Sequence, residues 1–305
     1  MIREFLFPYY QQLLANARRR QIDQTRRLHL QIDTDGFCDP VIPLYRELGL
    51  NCMSPFEVAA GCDALRTGRE YPDLRISGGI DKRVLSQGPD AIDRMLDALR
   101  PGATVIDTTT GSPEESAALC AMLAGRGVDY LEALIGGSSS QVRAGDAMLM
   151  CGGAQTVYER CRPLFHTCFR DLFYLGDCGQ AARMKLVLNL ILGLNRAVLA
   201  EGLCFAEACG LDAARALEIL KVSPAYSRVM DTKGSRMVES RFEPEARLAQ
   251  HLKDVRVILD LGARTGAKLP LSALHRELLE EAERAGYGGA DNSAVICAYR
   301  NGGTR

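Results

Sequence analysis

The chain has 305 residues, of which 47% are hydrophobic and 25% are charged, so it is long enough for two domains and apolar enough for an ordinary core. Its formal net charge is −1, which excludes the overall basic character typical of nucleic-acid-binding proteins, and we expect no nucleic-acid partner. No run of about 18 apolar residues is free of charge, so we expect no membrane partner either.

The eleven cysteines are an odd number, and most lie in apolar stretches. No Cys-x-x-Cys pair occurs and no histidine lies at zinc-ligand spacing from a cysteine pair, so no metal site is expected. We expect the cysteines to be reduced core residues, as in a cytosolic protein. The first residues include an acidic side chain and no long apolar run, which is unlike a signal peptide. We therefore expect a cytoplasmic location.

Residues 1–97 begin with an amphipathic helix at 2–20, after which short apolar strands alternate with helices. Strands are predicted at 28–32, 50–54 and 74–77, and helices at 40–48, 58–69 and 90–99. This alternation predicts βα units and a parallel sheet. Charged residues follow the strands, where they serve either as functional groups or as turn formers and helix caps: Asp33, Asp35, Glu57, Asp81 and Lys82.

Three motifs in this part follow one another in order: D-T-D-G at 33–36, P-F-E at 55–57 and G-G-I-D-K at 78–82. They resemble the later βα units of the uroporphyrinogen decarboxylase-like proteins, a TIM-barrel family that includes corrinoid-linked methyltransferases. About three of eight units are present, which cannot close a barrel. The zinc motif of that family has no counterpart, because His29 and Cys38 lack a third partner. We therefore rank decarboxylase or methyltransferase activity last.

Residues 98–175 continue the alternation, with strands at 103–106, 128–135 and 147–151 and helices at 114–125 and 155–165. Small hydroxyl residues precede Pro113, a pattern that an ordinary helix N-terminus also explains. A glycine-rich turn at 136–138 offers backbone N–H groups that can bind a carboxylate. The chain contains no strand followed by G-x-G-x-x-G and a helix, so the usual dinucleotide fingerprint is missing.

Residues 176–305 are predicted to be helical, with a long helix at 180–209 that is hydrophobic almost all round and therefore typical of a buried helix. Lys185 and Asn189 lie four residues apart on it, so both side chains can point at one spot. A buried lysine needs a partner or a function, and burial lowers its pKa. The alternative is a lysine that reaches out to solvent from the helix end, with the asparagine as a cap or bridge.

The pattern Gly176, Gly179, Lys185, Asn189 resembles the catalytic helix of the β-hydroxyacid dehydrogenases, which include 3-hydroxyisobutyrate dehydrogenase and tartronate semialdehyde reductase. Further motifs of that family follow in the same order: D-T-T-T-G-S-P at 107–113, the turn at 136–138, M-C-G-G at 150–153, K-D at 253–254 and D-N-S-A at 291–294. The resemblance covers residues 98–299. At the turn, Gly136 stands where the family has serine, and Ser138 stands where it has glycine.

The resemblance implies an NAD- or NADP-dependent oxidoreductase that acts on a small hydroxyacid or semialdehyde. It implies that Lys185 is the general acid or base and that Asn189 orients the substrate. It implies carboxylate binding at Gly136, Gly137 and Ser138. Cofactor contacts are implied for Thr110, Lys253 and Asp291. Because the first Rossmann half is missing, the alternative is an inactive remnant or a binding protein.

The predicted fold is α/β, with a parallel sheet of βα units followed by an all-helical C-terminal domain. We assign residues 1–97 to a decarboxylase-like βα fragment, 98–175 to the second half of a Rossmann-like domain, and 176–305 to a helical dehydrogenase domain. The strands of the first two parts are expected to form one sheet, because lone units leave edges exposed. Exposure of surface that was once core predicts a homo-oligomer built on the helical domain.

Overall fold

The computed structural model describes residues 2–22, 30–33, 36–57, 60–78 and 101–301, together with the single residues 90, 94 and 99. The chain divides into two compact units, Met1–Leu99 and Arg100–Arg305. The division lies close to the boundary that we predicted at 97/98. Residues 101–175 and the helical segment after them belong to the same unit.

The first unit contains a three-stranded parallel sheet in the order β1-β2-β3. Its elements are α1 (Phe7–Arg20), β1 (Gln31–Asp33), α2 (Ile42–Glu47), β2 (Cys52–Phe56), α3 (Ala64–Glu70) and β3 (Arg75–Gly78). Pro8 lies in the first turn of α1, where a missing N–H costs no hydrogen bond. Met53 of β2 and Ile42 of α2 are fully buried in the core of this unit. The predicted roles of Asp35, Asp81 and Lys82 fall outside the described residues.

Two buried cysteines of the first unit contact each other, with 3.5 Å between the Sγ atoms of Cys38 and Cys62. A carboxylate oxygen of Asp39 lies within 4.8 Å of both sulfur atoms. We expected His29 and Cys38 to lack a third partner; His29 lies outside the described residues, and Cys38 forms a candidate ligand group with Asp39 and Cys62. Asp39 is also paired with Arg66, so its charge is compensated without a metal ion. Burial and the Cys62 thiol raise the pKa of Cys38 to about 12, which keeps it a neutral thiol.

The second unit begins with a four-stranded sheet in the order β4-β5-β6-β7. The strands are β4 (Thr104–Asp107), β5 (Asp129–Gly136), β6 (Met148–Gly153) and β7 (Asp171–Tyr174). β4 runs parallel to β5 and β6 parallel to β7, but β5 and β6 are antiparallel. The expectation of a wholly parallel sheet is therefore wrong at β6. The short connection at 137–147 is too brief for a parallel crossover.

Three helices flank the sheet strands and six form the remainder of this unit in the described residues. The first three are α4 (Pro113–Ala124), α5 (Ser139–Arg143) and α6 (Gln155–Phe165). The others are α7 (Gln180–Ala208), α8 (Ala213–Lys221), α9 (Arg228–Val238), α10 (Leu248–Thr265), α11 (Pro270–Ala282) and α12 (Ile296–Asn301). We call α7 the central helix.

The two sheets are separate among the strands that the structure describes, since β1–β3 pair only with one another and β4–β7 only with one another. The prediction of one continuous sheet is therefore wrong. Each sheet has its own hydrophobic core: Met53 belongs to the first and Leu131 and Leu149 to the second. Because each set of strands buries its apolar side chains within its own unit, burial of these side chains does not require pairing between the sets.

The central helix has 29 residues and is the one helix in the described part of the chain that length and composition would allow to cross a membrane. Core helices pass the same test. Leu199 and Leu203 of this helix are buried in the core of the helical region. At its start, Ala181 and Ala182 pack against Leu134 of β5. The two cores account for only part of the apolar composition of the central helix, because Ile191, Val198 and Phe205 are 51%, 69% and 70% exposed. The expectation of a helix buried almost all round is therefore wrong for this face.

A buried carboxylate fixes the start of the central helix to the sheet. The Gly179 N–H donates a hydrogen bond of 2.8 Å to Oε2 of Glu132, which is 1% exposed on β5. A carboxylate is favourable there because the first N–H groups of a helix are unpaired and carry partial positive charge. Gly179 has φ 93°, and a Cβ atom would lie 2.9 Å from the carbonyl oxygen of Pro113. Glycine is therefore required at the position.

One cysteine pair contradicts the expectation that all eleven are reduced. Cys120 of α4 and Cys178, just before the central helix, form a disulfide. The paired residues are 58 positions apart in sequence. Nothing in their spacing resembles a motif, so the sequence could not indicate that these two meet.

Glu132→Gln should lower the free energy of unfolding by about 1–2 kcal/mol, because a neutral amide is a weaker acceptor at a helix N-terminus. Chemical denaturation followed by circular dichroism measures this change. Glu159→Gln is the matched control, since Glu159 is half exposed and pairs with Arg162 on its own helix. Its effect should stay within about 0.5 kcal/mol. Equal effects of the two substitutions would contradict the role of Glu132.

Candidate functional site

A cavity of about 540 Å³ lies in the second unit, where the ends of β4 and β5 meet the helices. Its walls come from the loops after these two strands, from α7, α9 and α10, and from the segment before α12. The lining residues that bear on function are Thr110, Gly137, Ser138, Gln141, Lys185, Asn189, Arg196, Lys233, His251, Asp254 and Asn292. Four of the predicted catalytic and substrate-binding residues are therefore brought together.

Lys185 points towards the end of β5. Its Nζ donates a hydrogen bond of 2.7 Å to the carbonyl oxygen of Ile135. Burial lowers the pKa of Lys185, and the Asp254 carboxylate acts in the opposite direction. The alternative in which this lysine reaches out to solvent is thus not what the structure shows. Its ammonium group is held beside the turn at 136–138.

Asn189 lies one turn further along the central helix and contacts Asp254 of α10. The Asn189 Nδ2 group donates to Oδ2 of Asp254 at 3.0 Å. Burial raises the pKa of Asp254, whereas Lys253 and Lys185 act to lower it. Asp254 belongs to the K-D motif but is not among the predicted site residues. Its carboxylate therefore interacts with both residues, through a hydrogen bond with Asn189 and through charge with Lys185.

The turn after β5 contributes to the cavity only in part. Gly137 and Ser138 line the cavity, but Gly136 does not. A Cβ atom on Gly136 would lie 2.7 Å from Met148, so this glycine faces a packed side chain. The Ser138 N–H donates to Oε1 of Gln141 at 2.9 Å. The Ser138 N–H, which we expected to bind a substrate carboxylate, is thus already hydrogen-bonded to the side-chain oxygen of Gln141.

The residues predicted to contact the cofactor have different positions. Thr110 lines the cavity, and Lys253 lies beside it, donating from Nζ to the Thr110 carbonyl oxygen at 3.2 Å. Asp291 is fully buried and accepts hydrogen bonds from Lys233, at 2.9 Å, and from Ser293. Asp291 does not line the cavity, so in this structure its side chain cannot make the expected contact with a cofactor bound there.

Asp291 and Lys233 form a buried ion pair below the cavity. Burial acts to raise the pKa of Asp291, but the hydrogen bonds from Lys233 and Ser293 outweigh it and hold the pKa at about 2. Asp291 also accepts from the N–H groups of Glu245 and Ala246. The motif that we predicted as a cofactor contact therefore organises the loop before α10.

Sequence reasoning missed a group of buried basic side chains on and near the central helix. Arg196 is 7% exposed, and the rings of His251 and His275 lie 5.3 Å apart between centroids. Gly193 makes room for them, since a Cβ atom there would lie 2.5 Å from Nε2 of His251. An arginine within an otherwise apolar helical stretch was the available signal, because arginine is rarely buried without a partner.

We expect the buried His275 to make the folded protein less stable in acid. Burial and the Arg196 charge lower the pKa of His275 from 6.5 to about 4. As the pH falls below 6.5, the unfolded chain binds the proton first, so stability is full above 6.5 and declines towards pH 4. The loss from this residue should be on the order of 3 kcal/mol.

His275→Gln should flatten this decline, which is read from the free energy of unfolding against pH. His166→Gln is the control, because His166 is exposed, and it should leave the slope between pH 4 and 6.5 unchanged. An identical slope in His275→Gln and the parent protein would show that His275 does not cause the decline.

Comparison with known proteins gives two family models that match the chain. Residues 84–176 match the NAD binding domain of 6-phosphogluconate dehydrogenase. Residues 179–299 match the NAD-binding domain of NADP-dependent 3-hydroxyisobutyrate dehydrogenase. Residues before 84 lie outside both models, so the decarboxylase-like resemblance stays a prediction.

Curated relatives carry different names. The cytokine-like nuclear factor N-PAC of Aedes aegypti is 34% identical over 231 residues, which are 76% of this chain and 41% of the relative. The 2-(hydroxymethyl)glutarate dehydrogenase of Eubacterium barkeri is 29% identical over 246 residues, 80% of this chain and 78% of the relative. The chain spans less than half the length of the N-PAC proteins it matches.

The fold is similar to that of a solved 3-hydroxyisobutyrate dehydrogenase from Salmonella typhimurium. The TM-score is 0.68 at 18% identity, covering 89% of this chain and 99% of that one. This similarity supports the two-part fold, in which an α/β region precedes a helical region.

The cofactor of this family is NAD or NADP, and the cavity fits one end of it. Thr110 and Lys185 border the cavity, and two buried polar atoms of its lining residues, Nε2 of His251 and Oδ1 of Asn292, have no hydrogen-bond partner in the described part of the chain. The chain has no glycine fingerprint for the pyrophosphate. The two models and the order of the motifs place residues 84–299 in the NAD(P)-dependent β-hydroxyacid dehydrogenase family.

Proposed function

We propose that the chain is an oxidoreductase that interconverts a small semialdehyde and the corresponding hydroxyacid with NAD or NADP. The observation that carries this proposal is the convergence of Lys185, Asn189 and Ser138 on one cavity of the second unit. These groups supply a proton donor, an orienting amide and a turn with backbone donors. That combination suits reduction of a carbonyl group next to a carboxylate.

Lys185 is proposed to donate the proton to the carbonyl oxygen during reduction. Its Nζ is already positioned by the Ile135 carbonyl at 2.7 Å, so two of its three N–H groups remain for other partners. Burial lowers its pKa, which brings the ammonium group closer to the acidity that proton transfer at neutral pH requires. The cofactor, when bound, supplies the hydride.

Asn189 is proposed to orient the same oxygen. Its Nδ2 group donates one hydrogen bond to Asp254, which fixes the amide and leaves a second N–H for the substrate. Asp254 in turn offsets the charge of Lys185. The pair would therefore act on one oxygen from two neighbouring turns of the central helix.

The turn after β5 is proposed to bind the substrate carboxylate through Gly137 and Ser138. In the structure, Oε1 of Gln141 accepts the Ser138 N–H. A carboxylate would replace that oxygen and would gain a stronger, charge-assisted hydrogen bond. Binding thus requires Gln141 to change its side-chain conformation.

An inactive binding protein is the second candidate, and the missing glycine fingerprint favours it. Without a glycine-rich turn at a helix N-terminus, the chain offers no evident binding site for the pyrophosphate of the cofactor. Such a protein would keep carboxylate binding in the cavity but would not transfer hydride. A methyltransferase or decarboxylase activity of the first unit remains the third and weakest proposal.

Lys185→Ala should lower the rate of NADPH oxidation with small semialdehydes by a factor of about 10² to 10⁴, because the proton donor is lost. Binding of a small carboxylate should be retained, since the turn at 137–138 does not depend on the lysine. Lys268→Ala is the matched control, as Lys268 is exposed and outside the cavity. Cofactor absorbance measures the rate, and calorimetry measures carboxylate binding.

Equal, nonzero rates in Lys185→Ala and the parent protein would refute the role of Lys185. Carboxylate binding without any NADPH oxidation in the parent protein would favour the second candidate. Failure of both measurements would refute the carboxylate site as well.

Self-association is proposed through the exposed face of the central helix. Ile191, Val198 and Phe205 are spaced by seven residues and are 51%, 69% and 70% exposed. A seven-residue spacing keeps apolar groups in line between two paired helices. We infer that the occupant of this face is the central helix of a second copy, in a symmetric dimer.

Phe205→Asp should shift the protein towards the monomer, because a charge at the centre of an apolar contact loses burial and must be desolvated. Light scattering at micromolar concentration gives the mass. Leu164→Asp is the control, since Leu164 is also exposed but lies on α6, and it should leave the mass unchanged. A parent protein that is monomeric would refute the proposal outright.

A cytoplasmic location also remains a proposal. The Cys120–Cys178 disulfide weakens it, because disulfides are rare in a reducing compartment.

A further inference from the structure

Arg196 extends the line of functional groups on the central helix. It lies seven residues after Asn189 and eleven after Lys185. At about 100° per residue, these three positions fall within a narrow stripe of the helix surface. With a rise of about 1.5 Å per residue, Arg196 lies roughly 10 Å beyond Asn189 along the axis. All three side chains line the same cavity.

The guanidinium group of Arg196 faces the cavity and has no hydrogen-bond partner among the described residues. The residue is 7% exposed, and within the described part of the chain it makes no hydrogen bond and no close ion pair. Arginine carries five N–H donors, and a buried charge without partners is costly. Burial lowers the pKa of Arg196 to about 10, so it stays charged at neutral pH.

The nearest acidic groups are already engaged. Asp291 and Asp254 oppose the effect of burial on Arg196, but Asp291 accepts from Lys233 and Ser293, and Asp254 accepts from Asn189. These carboxylates offset the charge of Arg196 at a distance without satisfying its N–H groups.

The surroundings of Arg196 also favour an anion. The cavity is lined by five lysine and arginine residues and by two acidic ones, which are Lys185, Arg196, Lys233, Arg236, Arg247, Glu245 and Asp254. His251 is neutral at pH 7, because burial and Arg196 lower its pKa well below 6.5. Its Nε2 atom has no partner in the described residues and can complete a hydrogen-bonded site.

We propose that Arg196 binds a second carboxylate of the substrate, so that the substrate class is a short-chain dicarboxylic semialdehyde or hydroxyacid. This inference rests on the proposed function, in which the reacting carbonyl lies at Lys185 and the first carboxylate at the turn 137–138. A guanidinium group binds a carboxylate through two parallel hydrogen bonds, which suits a planar anion at the far end of the ligand. Arg196 would then determine specificity for substrate length and charge.

The test compares two ligands of equal chain length, glutarate and pentanoate, by isothermal titration calorimetry of the full chain with and without NADP⁺. The parent protein should bind glutarate roughly 10- to 100-fold more tightly, since a buried charge-assisted contact is gained. Arg196→Gln should remove this preference and leave pentanoate affinity unchanged. Arg196→Lys should keep part of it, because the charge remains but the two-pronged contact is lost.

Arg256→Gln is the matched control. Arg256 is exposed, pairs with Glu280 and lies outside the cavity, so the variant should keep the full preference for glutarate. Circular dichroism checks that each variant is folded. If Arg196→Gln does not fold, the affinities of the parent protein and of Arg196→Lys for glutarate and pentanoate still test the proposal.

Equal affinity of the parent protein for the two ligands, or no binding of either, would overturn the proposal. A preference that survives in Arg196→Gln would also overturn it. The titration does not measure turnover, so absence of NADPH oxidation would count against the proposed function and leave this result standing. Conversely, turnover without a preference for glutarate would refute only the role of Arg196.

Discussion

The hydrogen bond between the Gly179 N–H and the buried Glu132 carboxylate is the contact on which the candidate site depends. It joins the first turn of the central helix to the middle of β5. Since Lys185 and Asn189 follow at fixed helical offsets, this contact sets where their side chains reach. Near the end of the same strand lies Ile135, whose carbonyl oxygen accepts a hydrogen bond from Lys185. One strand therefore positions both the helix and the head of its lysine.

Charge compensation explains the arrangement at the other end of the cavity. Lys233 is buried and paired with Asp291, which also receives the N–H groups of the loop before α10. This pair fixes the wall of the cavity, whereas Arg196 faces the cavity and has no such partner in the described part of the chain. Burying a paired charge costs far less than burying an isolated one. Lys233 therefore has a structural role, whereas Arg196 is the cation for which we propose a binding role.

The sequence predicted the elements whose patterns are local. The central helix is predicted from its almost continuous apolar composition and α10 from its amphipathic pattern, and the motif order predicts that Lys185, Asn189 and Ser138 share one site. The antiparallel β6 was missed because strand direction depends on connection length rather than on composition. Arg196 and Gln141 were missed because their role depends on which groups lie opposite them. The Cys120–Cys178 pair was missed for the same reason, since contact across 58 residues leaves no local signal.

The residues that bind and those that complete the reaction are distributed unequally along the chain. Lys185, Asn189, Asp254 and the turn at 137–138 all belong to the second unit, and so does Arg196. The glycine-rich turn that would bind pyrophosphate in this family precedes that region, and it is missing from the sequence. The proposed recognition of a small anionic ligand therefore requires only groups that the second unit provides. The proposed hydride transfer also needs a bound cofactor, whereas the proposed ligand binding does not, so the two can be measured separately.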